Sequence, residues 1–409
     1  MKKPELLAPA GDFSRLTYAI AYGADAVYLG GEAFSLRTAS ANFSYAEMEK
    51  AVAYAHERHV RVYVACNTFL RSEETERFEE YLRFLRQIGV DAVIVSDLGA
   101  FRAVRRVAPD MEIHVSTQAN VTNYEACLGW YEAGAKRVVL ARELSLEEIA
   151  EIRAHCPPDL ELEAFVHGAM CMAYSGRCLL SGFLTGRDAN RGNCAQACRW
   201  KYAVQEETRP GQYFAVEEDS SGTYIFNSKD LCMIDHLPEL CEAGINSFKI
   251  EGRAKTEYYV ACVTGAYRKA LDACFEDLGL YTEQLDVYRD EVRKVSHRPY
   301  YTGFYFGDPR EKSISYEDAG YIRDWEVVGL VTSYDPLKRA AVVRQRNKFL
   351  VGDECEILEP GQPVFSFTVD KMYDEQGNEI LAAPHADQTV KVITNHYVGP
   401  YSFLRRRKG

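Results

Sequence analysis

Five cysteines in one stretch of the chain are the residues whose chemistry is easiest to infer. They are Cys171, Cys178, Cys194, Cys198 and Cys232, which fall within 62 residues. Thiolates gathered around one point repel one another unless a cation compensates for their charge. The stretch therefore predicts a metal centre, which could be an iron-sulfur cluster or a zinc site.

The spacing of these cysteines favours the cluster. Structural zinc usually takes ligands with about two to four residues between them, and Cys194 and Cys198 would fit that rule. Cys171 and Cys178, with six residues between them, would not. Thiolates from separate loops suit the four corners of a 4Fe-4S cluster. Cys171, Cys178 and Cys194 belong to any such solution, and the fourth ligand is either Cys232 or Cys198.

The remaining cysteines are expected to be reduced and to pack in the core. The opening MKKPELLAPAG is not followed by an apolar run of signal length, and no stretch reaches the roughly 18 apolar residues of a membrane span. We therefore expect a soluble, cytoplasmic protein with no membrane partner, in which thiols stay reduced. Such cysteines pack like small hydrophobic side chains. They are Cys66, Cys127, Cys156, Cys241, Cys262, Cys274 and Cys355.

The charge of the chain argues against a general nucleic-acid-binding surface. The formal net charge is -12 and the sequence pI is near 5.4, whereas such proteins are usually basic. Any contact with RNA would have to use a local patch. Two basic runs exist: Arg187, Arg191, Arg199 and Lys201, opposed only by Asp188, and Arg405, Arg406, Arg407 and Lys408. Runs of this kind are either solvated faces or tails, or contacts for phosphates.

The elements that must position these residues alternate between short apolar strands and amphipathic helices. Eight strands are predicted, at Glu5 to Ala10, Asp25 to Gly30, Val60 to Cys66, Asp91 to Ser96, Glu112 to Thr117, Lys136 to Ala141, Leu160 to Val166 and Asn246 to Glu251. This pattern predicts a (β/α)8 barrel. A doubly wound sheet is the alternative, but no Gly-x-Gly-x-x-Gly follows the first strand.

The domain organisation follows from two departures from this pattern. About 80 residues separate the seventh and eighth strands, far more than a βα unit needs, so residues 168–232 form a Cys-rich insertion in a barrel of residues 1–275. A further strand at Tyr224 to Leu231 is possible within it. Residues 276–324 have weak periodicity and are interpreted as a linker. Residues 325–409 alternate strand-like runs with turn signals and predict a small all-β barrel.

The residues just past the carboxyl ends of barrel strands predict the active-site mouth. They are Asn67, Asp97, Thr117, Gln118, Arg142, Glu143, His167, Lys249, Glu251 and Arg253. Any one of them could instead close a loop or cap a helix. Two arginines and a lysine suit a small anionic molecule, so Asn67, Gln118, Arg142, Lys249 and Arg253 are predicted to bind substrate. His167 and Glu251 are the candidates for acid-base catalysis, and a structural histidine is the alternative for His167.

At these residues the sequence resembles the peptidase U-32 family, historically called collagenase-like proteases. The stretch from Glu163 to Ser181 carries the family's fixed positions: Glu163, Phe165, Gly168, Ala169, Met170, Cys171, Gly176, Cys178, Leu180 and Ser181. The segments Leu6 to Gly11 and Lys249 to Arg253 resemble two further hallmarks. The resemblance spans residues 5 to about 275.

The resemblance implies an iron-sulfur protein that hydroxylates RNA or a quinone precursor. One branch modifies the wobble uridine of transfer RNA to 5-hydroxyuridine using prephenate, a longer one acts on a ribosomal RNA cytidine, and a short pair acts in ubiquinone synthesis. The added β-domain makes this chain most similar to the transfer-RNA branch. By that pattern Cys171, Cys178, Cys194 and Cys232 are the cluster ligands, although Cys198 is also found in some members.

Three functions are therefore open. The first is a tRNA uridine hydroxylase in which prephenate occupies the barrel mouth and the segment from Arg187 to Lys201 meets the anticodon region. The second is a protease, a hydrolase that would match the family label. For this function the sequence lacks the motifs His-Glu-x-x-His and Gly-x-Ser-x-Gly, and His56-Glu57-Arg58-His59 is one residue short of the spacing that binds zinc. A cysteine nucleophile paired with His167 is conceivable. The third is a non-catalytic, cluster-bearing RNA-binding scaffold.

Overall fold

The computed structural model describes most of the chain, and its strands and helices follow the predicted alternation. The described residues are 2–35, 42–170, 178–200, 203–205, 213–215, 229–307, 321–394 and 396–408. In chain order the first strands are β1 (Glu5–Pro9), β2 (Ala26–Leu29), β3 (Arg61–Ala65), β4 (Ala92–Val95), β5 (Glu112–Val115), β6 (Arg137–Val139), β7 (Glu161–Ala169), β8 (Ala203–Gln205), β9 (Tyr213–Ala215), β10 (Asp230–Cys232), β11 (Ser247–Ile250) and β12 (Tyr300–Tyr301).

The helices lie between these strands and cover them. They are α1 (Phe13–Ala21), α2 (Tyr45–His56), α3 (Thr75–Gln87), α4 (Leu98–Val107), α5 (Tyr124–Ala133), α6 (Leu146–His155), α7 (Leu180–Thr185), α8 (Leu237–Glu242), α9 (Glu257–Glu276), α10 (Leu278–Glu283) and α11 (Leu285–Arg293). Capping boxes at Ser44 and Ser145 begin α2 and α6, where each hydroxyl and a glutamate three residues on satisfy the first backbone N–H groups. Among the described helices, none has both the length and the apolar character needed to cross a bilayer.

Eight parallel strands close into a barrel, as predicted. Strands β1 to β7 pair in chain order, and β11 pairs with both β7 and β1. Every residue of β2 and β4 is buried, because one face of each strand meets the helices and the other faces the barrel interior. Seven of the eight barrel strands end within two residues of the end predicted from the sequence. The exception is β7, which continues three residues beyond its predicted end at Val166.

The extension of β7 connects the Cys-rich insertion to the barrel. Residues 167–169 pair in antiparallel fashion with β10, which in turn pairs with β12. A bulge at Val166 separates this extension from the barrel part of β7, so that Lys249 lies opposite Phe165 but Ile250 lies opposite His167. Gly168 has a φ of +109°, and a Cβ there would lie 2.6 Å from the carbonyl oxygen of Glu251. Only glycine fits this crossing.

Two predicted segments differ from the structure in detail. The extra strand predicted at Tyr224 to Leu231 is present only as β10, and residues 224–228 lie outside the described residues. The range 276–324, interpreted as a linker, contains α10 and α11, which pack on α9. Their six and nine residues are too short to give a clear helical period, and packing on α9 supplies the stability that the isolated segments would lack.

The C-terminal part is an antiparallel half-barrel. Its strands are β13 (Trp325–Asp335), β14 (Ala340–Gln345), β15 (Phe349–Leu350), β16 (Glu354–Leu358), β17 (Phe365–Thr368), β18 (Met372–Tyr373), β19 (Glu379–Ile380), β20 (Ala382–Ala383), β21 (Thr389–Ile393) and β22 (Phe403–Arg407). Eight of them form one sheet in the order β17, β16, β22, β13, β14, β21, β18, β19. Alternate residues such as Val343, Ile357 and Leu404 fill its own core.

The contact between the two parts is centred on Arg405. Its buried guanidinium donates two hydrogen bonds to Glu291 of α11, at 2.6 and 2.7 Å, and two to Glu356 of β16, at 3.0 and 2.9 Å. Phe403 packs beside it against the rings of Tyr18 and Tyr258. The expectation that this basic run is a solvated face or tail is therefore wrong for Arg405 and Arg406, whereas Arg407 and Lys408 are exposed. Strand β22 lies between β16 and β13, and Arg406 also pairs with the carboxylates of Glu326 and Asp353.

Replacing Arg405 should loosen this contact. In Arg405→Met, the partly buried Glu291 and Glu356 would lose their guanidinium partner and keep only Lys294, whose Nζ lies 4.0 Å from Glu291 and 3.1 Å from Glu356. We expect a loss of about 3 kcal/mol in the free energy of unfolding. Urea unfolding would measure it. Arg407→Met is the matched control, since Arg407 is an exposed arginine on the same strand; equal losses in the two variants would contradict the role given to Arg405.

Candidate functional site

The lower part of the barrel interior contains a network of charged side chains. Arg137 of β6 lies almost completely buried among Glu5, Glu161 and Glu163, with nitrogen-oxygen distances of 2.6, 2.6 and 2.9 Å. The hydroxyl of Tyr63 also donates to Glu5 at 2.6 Å. Parallel strands that alternate inward and outward side chains bring these groups onto shared levels of the barrel. The network joins β1, β3, β6 and β7 below the mouth.

Glu163 extends this network to the eighth barrel strand. Its carboxylate accepts a hydrogen bond from Nζ of Lys249 at 2.7 Å, and Nζ also lies over the ring of Tyr28 at 4.7 Å. Burial alone would raise the pKa of Glu163, but the charges of Lys249 and Arg137 outweigh burial and lower it to about 2. The structure thus places Lys249 one level below the predicted mouth, where its ammonium group forms an ion pair with Glu163.

Arg142 and Glu251 meet at the mouth, as their positions after β6 and β11 predict. The guanidinium of Arg142 stacks over the ring of Phe165 at 3.9 Å and donates to the carbonyl oxygen of Ala169 at 2.8 Å. Its other terminal nitrogen lies 3.6 Å from the carboxylate of Glu251. The cation is therefore held between an aromatic ring, a backbone carbonyl oxygen and a carboxylate.

Arg253 stands at the same end of the barrel but is buried against a loop. Its guanidinium donates to the hydroxyl of Ser35 and to the side-chain oxygen of Asn42, both at 2.8 Å. Gly30 makes room for it, since a Cβ there would lie 2.2 Å from the guanidinium. Arg253 thus ties together the two sides of the 36–41 segment, which itself lies outside the described residues.

Ser116 connects two of the predicted substrate-binding residues. Its hydroxyl oxygen accepts from the side-chain amide of Asn67 at 3.5 Å and from the backbone N–H of Gln118 at 3.3 Å. Asp97 and Thr117 serve the fold instead: Asp97 caps α4 and also accepts from Leu70, and the Thr117 hydroxyl donates to Leu140. The contacts of Asp97 and Thr117 therefore match the alternative that such residues cap a helix or close a loop.

His167 lies beside the mouth in a pocket of aromatic rings. The rings of Tyr259, Tyr267 and Tyr300 surround it, and its Nε2 lies 3.3 Å from the hydroxyl of Tyr300. Burial, followed by the charge of His297, lowers the pKa of His167 to about 3. The imidazole is therefore neutral near pH 7. The bulge at Val166 displaces it from the inward-facing row of β7, and its acid-base role stays a prediction.

Three described cysteines of the insertion, Cys178, Cys194 and Cys232, carry free thiols. Cys232 lies opposite His167 in the β7–β10 ladder with its sulfur 3.9 Å from the Tyr267 hydroxyl, and burial raises the pKa of Cys232 to about 12. Cys178 exchanges backbone hydrogen bonds with the side chain of Asn190 at 3.3 and 2.7 Å. The sulfur of Cys194 accepts from the N–H of Gln196 at 3.3 Å, as ligand sulfurs of clusters commonly do.

The ligand set itself is only partly described. Cys171 lies outside the described residues, as does Lys201 of the basic run. In the described part of the chain, no three His, Cys, Asp or Glu side chains come close enough to hold a metal ion. The chemistry of the donors fits a cluster, since Cys178, Cys194 and Cys232 carry free thiols, but the set with Cys171 stays a prediction.

The basic run is described in part. Arg187 is exposed, with one guanidinium nitrogen 3.5 Å from the carbonyl oxygen of Cys194. Arg191 and Arg199 are described only as backbone positions in short 3-10 turns. Their predicted contact with RNA therefore rests on the sequence.

Sequence reasoning missed several residues of this site. Ser116 directly precedes Thr117 at the end of β5, so the rule that identified Thr117 could have included it. Tyr267 and Tyr300 could not have been found in that way, because α9 and β12 lie outside the barrel strands and nothing in their local pattern points to His167.

The chain resembles known proteins over its whole length. The family model for peptidase family U32 matches residues 11–315, and that for the peptidase family U32 C-terminal domain matches residues 323–405. The chain is 40% identical over 407 residues to tRNA hydroxylation protein P1 of Bacillus subtilis, covering 100% of this chain and 96% of that protein. It is 39% identical to tRNA hydroxylation protein P of Escherichia coli, covering 95% and 93%. It is 40% identical to the 23S rRNA 5-hydroxycytidine C2501 synthase of Escherichia coli, covering 67% and 40%.

The Glu163 network predicts a pH-dependent stability. Because the pKa of Glu163 is about 2 in the fold against 4.5 ordinarily, its contribution is present above that ordinary pKa and is lost as the pH falls toward 2. We expect the wild type to exceed Glu163→Gln by roughly 3 kcal/mol in unfolding free energy at neutral pH, and the difference to narrow in acid. Urea unfolding across this range measures it. The exposed Glu132→Gln is the control, and a gap independent of pH would contradict the pKa assignment.

Proposed function

The chain belongs to peptidase family U32, and on that premise we propose that it is an enzyme that hydroxylates tRNA. The specific reaction we propose is conversion of the wobble uridine to 5-hydroxyuridine, with prephenate as the small-molecule partner. The observation that carries the proposal is the end-to-end similarity to tRNA hydroxylation protein P1, which includes the C-terminal half-barrel as well as the barrel. The ribosomal RNA relative adds a second RNA hydroxylation to the family and matches a smaller share of its own length.

The barrel mouth supports an anionic small molecule. Arg142 is held over the Phe165 ring by its hydrogen bond to Ala169, and its other terminal nitrogen is turned toward the carboxylate of Glu251. Bidentate pairing with a guanidinium is the strongest common mode of carboxylate recognition. A dicarboxylate such as prephenate would compete with Glu251 for this guanidinium. Asn67 and Gln118 supply polar groups at the same end of the barrel. Arg253 also lies there, bonded to Ser35 and Asn42, and the charge of Lys249 below the mouth is paired with Glu163.

We also propose a 4Fe-4S cluster held by Cys171, Cys178, Cys194 and Cys232. Cys232 supports this assignment because β10 attaches it to the active-site end of β7. Cys198 is the alternative fourth ligand, and zinc is the alternative metal. A bound cluster would supply one-electron redox chemistry at this end of the barrel. The basic run from Arg187 to Lys201 would meet the anticodon region, and a few phosphate contacts can suffice on an otherwise acidic protein.

Peptidase activity is the alternative that the family's name raises. The two described features that could serve it are engaged elsewhere: Nε2 of His167 faces the Tyr300 hydroxyl, and His56 pairs with Asp91 at 2.9 Å at the opposite end of the barrel. A non-catalytic RNA-binding scaffold would use the same basic run without turnover. Assays of tRNA hydroxylation, tRNA binding and gelatin hydrolysis separate all three functions.

Incubation of the anaerobically purified protein with prephenate and hypomodified tRNA should yield 5-hydroxyuridine at the wobble position, detected by mass spectrometry of nucleosides. Product should disappear when prephenate is omitted. Failure to form product with an intact metal centre would contradict the proposal. Binding of tRNA without turnover would favour the scaffold, and gelatin hydrolysis lost in Cys171→Ala but retained after metal removal would favour the protease.

Iron and sulfide analysis of cysteine variants tests the cluster. The wild type should be brown and contain about four irons per chain, and Cys171→Ser should lose most of them because a ligand is removed. Cys232→Ser and Cys198→Ser, measured side by side, identify the fourth ligand. Cys274→Ser is the matched control, since Cys274 is a partly buried thiol of α9. A colourless wild-type protein with zinc would overturn the assignment.

A further inference from the structure

The insertion exposes large apolar side chains beside its basic residues. The side chain of Phe183 is 88% exposed, that of Leu179 is 79% exposed and that of Trp200 is 45% exposed. Grouped apolar side chains on a surface usually mark a site of interaction. Phe183 and Trp200 differ from Leu179 in offering flat aromatic faces, which limits the kind of partner that fits.

Hydrogen bonds hold Phe183, Arg187 and the loop leading to Trp200 as one unit. Ser181, in the same helix as Phe183, donates from its hydroxyl to the carbonyl oxygen of Arg187 at 2.7 Å and accepts from the N–H of Ala195 at 2.9 Å. Helix α7 packs against the 3-10 turn Ala197–Arg199, which directly precedes Trp200. The two aromatic residues therefore belong to adjoining elements, with the exposed Arg187 beside them.

The charge of this segment identifies a polyanion as the partner. Between Cys178 and Trp200 the chain carries Arg187, Arg191 and Arg199 against the single acid Asp188, although the whole protein has a net charge of -12. Aromatic residues and arginine are also enriched at protein interfaces, but the excess of positive charge here favours a partner with a high density of negative charge. Aromatic faces flanked by arginines suit single-stranded nucleic acid, where bases stack and phosphates pair with cations.

We propose that Phe183 and Trp200 form a stacking platform for unpaired bases of the RNA substrate, with Arg187 contacting the adjacent phosphate. The proposal rests on the proposed function in one respect, that the substrate is RNA. A regular duplex keeps its bases paired and stacked on one another, so the platform selects loop nucleotides such as those of an anticodon loop. Phe183 and Trp200 would thus act in binding and not in the chemical step.

The test measures the affinity of the full chain for a short anticodon stem-loop RNA and for a blunt duplex of the same stem. Phe183→Ala and Trp200→Ala should each weaken stem-loop binding by on the order of tenfold, as expected for the loss of one base-aromatic stack, and leave duplex binding unchanged. Phe183→Tyr and Trp200→Phe should restore affinity. Tyr397→Ala is the control, since Tyr397 is 65% exposed on the C-terminal half-barrel.

Further variants separate stacking from other causes. Phe183→Leu keeps an apolar side chain without a π face and should bind as weakly as Phe183→Ala. Arg187→Gln should lower the dependence of affinity on salt, whereas Phe183→Ala should leave it unchanged, because stacking releases no counterions. Tryptophan fluorescence should be quenched by the stem-loop in the wild type, and that quenching should be lost in Trp200→Phe.

Wild-type affinity for the stem-loop in Phe183→Ala or in Phe183→Leu would overturn the platform. A change only in self-association of the alanine variants, measured by sedimentation, would also overturn it and would assign the surface to a second copy of this chain. Binding is measured without prephenate and without turnover. Stacking-dependent binding with no 5-hydroxyuridine would therefore keep the platform and reject the proposed function. Normal hydroxylation with unaltered RNA affinity in both alanine variants would reject the platform and keep the proposed function.

Discussion

The carboxylate of Glu163 is the contact on which the site depends. It lies fully buried between Lys249 and Arg137, and through them it joins three neighbouring strands of the barrel. A buried charge is costly unless every partner is in place. The register of β6, β7 and β11 is therefore restricted to the one that pairs all three groups. Phe165, Arg142 and Glu251, which form part of the mouth, are positioned one level above this contact by the same strands.

This arrangement divides the barrel end into two environments. The mouth at Arg142 and Glu251 is polar and charged, and suits recognition of an anion. The region around His167 is aromatic and buried, and it keeps the imidazole neutral near pH 7. Strand β10 belongs to the second environment and attaches Cys232 to it. The bulge at Val166 and the positive φ of Gly168 create the division, because together they turn β7 out of the barrel as it enters the insertion.

The barrel could be predicted because its strands are buried on both faces and are read as short apolar runs separated by helices. The mouth could be predicted in part. The meeting of Arg142 with Glu251 followed from strand ends alone, whereas Lys249 was assigned to the mouth although it lies within the predicted strand Asn246 to Glu251 and within the observed β11. Its pairing with Glu163 depends on the side chains of another strand, which strand ends do not reveal. His167 was assigned to the mouth because a bulge leaves no clear trace in a pattern of alternation. Arg405 was misinterpreted because charge alone favours solvent, and its partners Glu291 and Glu356 are distant in sequence.

The closure of the barrel also has a consequence for biosynthesis. Glu5 of β1 must find Ser247 of β11, and their side chains meet at 3.1 Å across a separation of 242 residues. On the ribosome, β1 therefore presents an unpaired edge, and Glu5 lacks its contact with Ser247, until the whole Cys-rich insertion has been made. Nascent chains are exposed to misassociation during that interval. If a cluster is delivered to the insertion, its delivery and the closure of the barrel compete in time. A chain whose barrel closes first would present the thiols of the insertion to the incoming cluster in a more restricted arrangement.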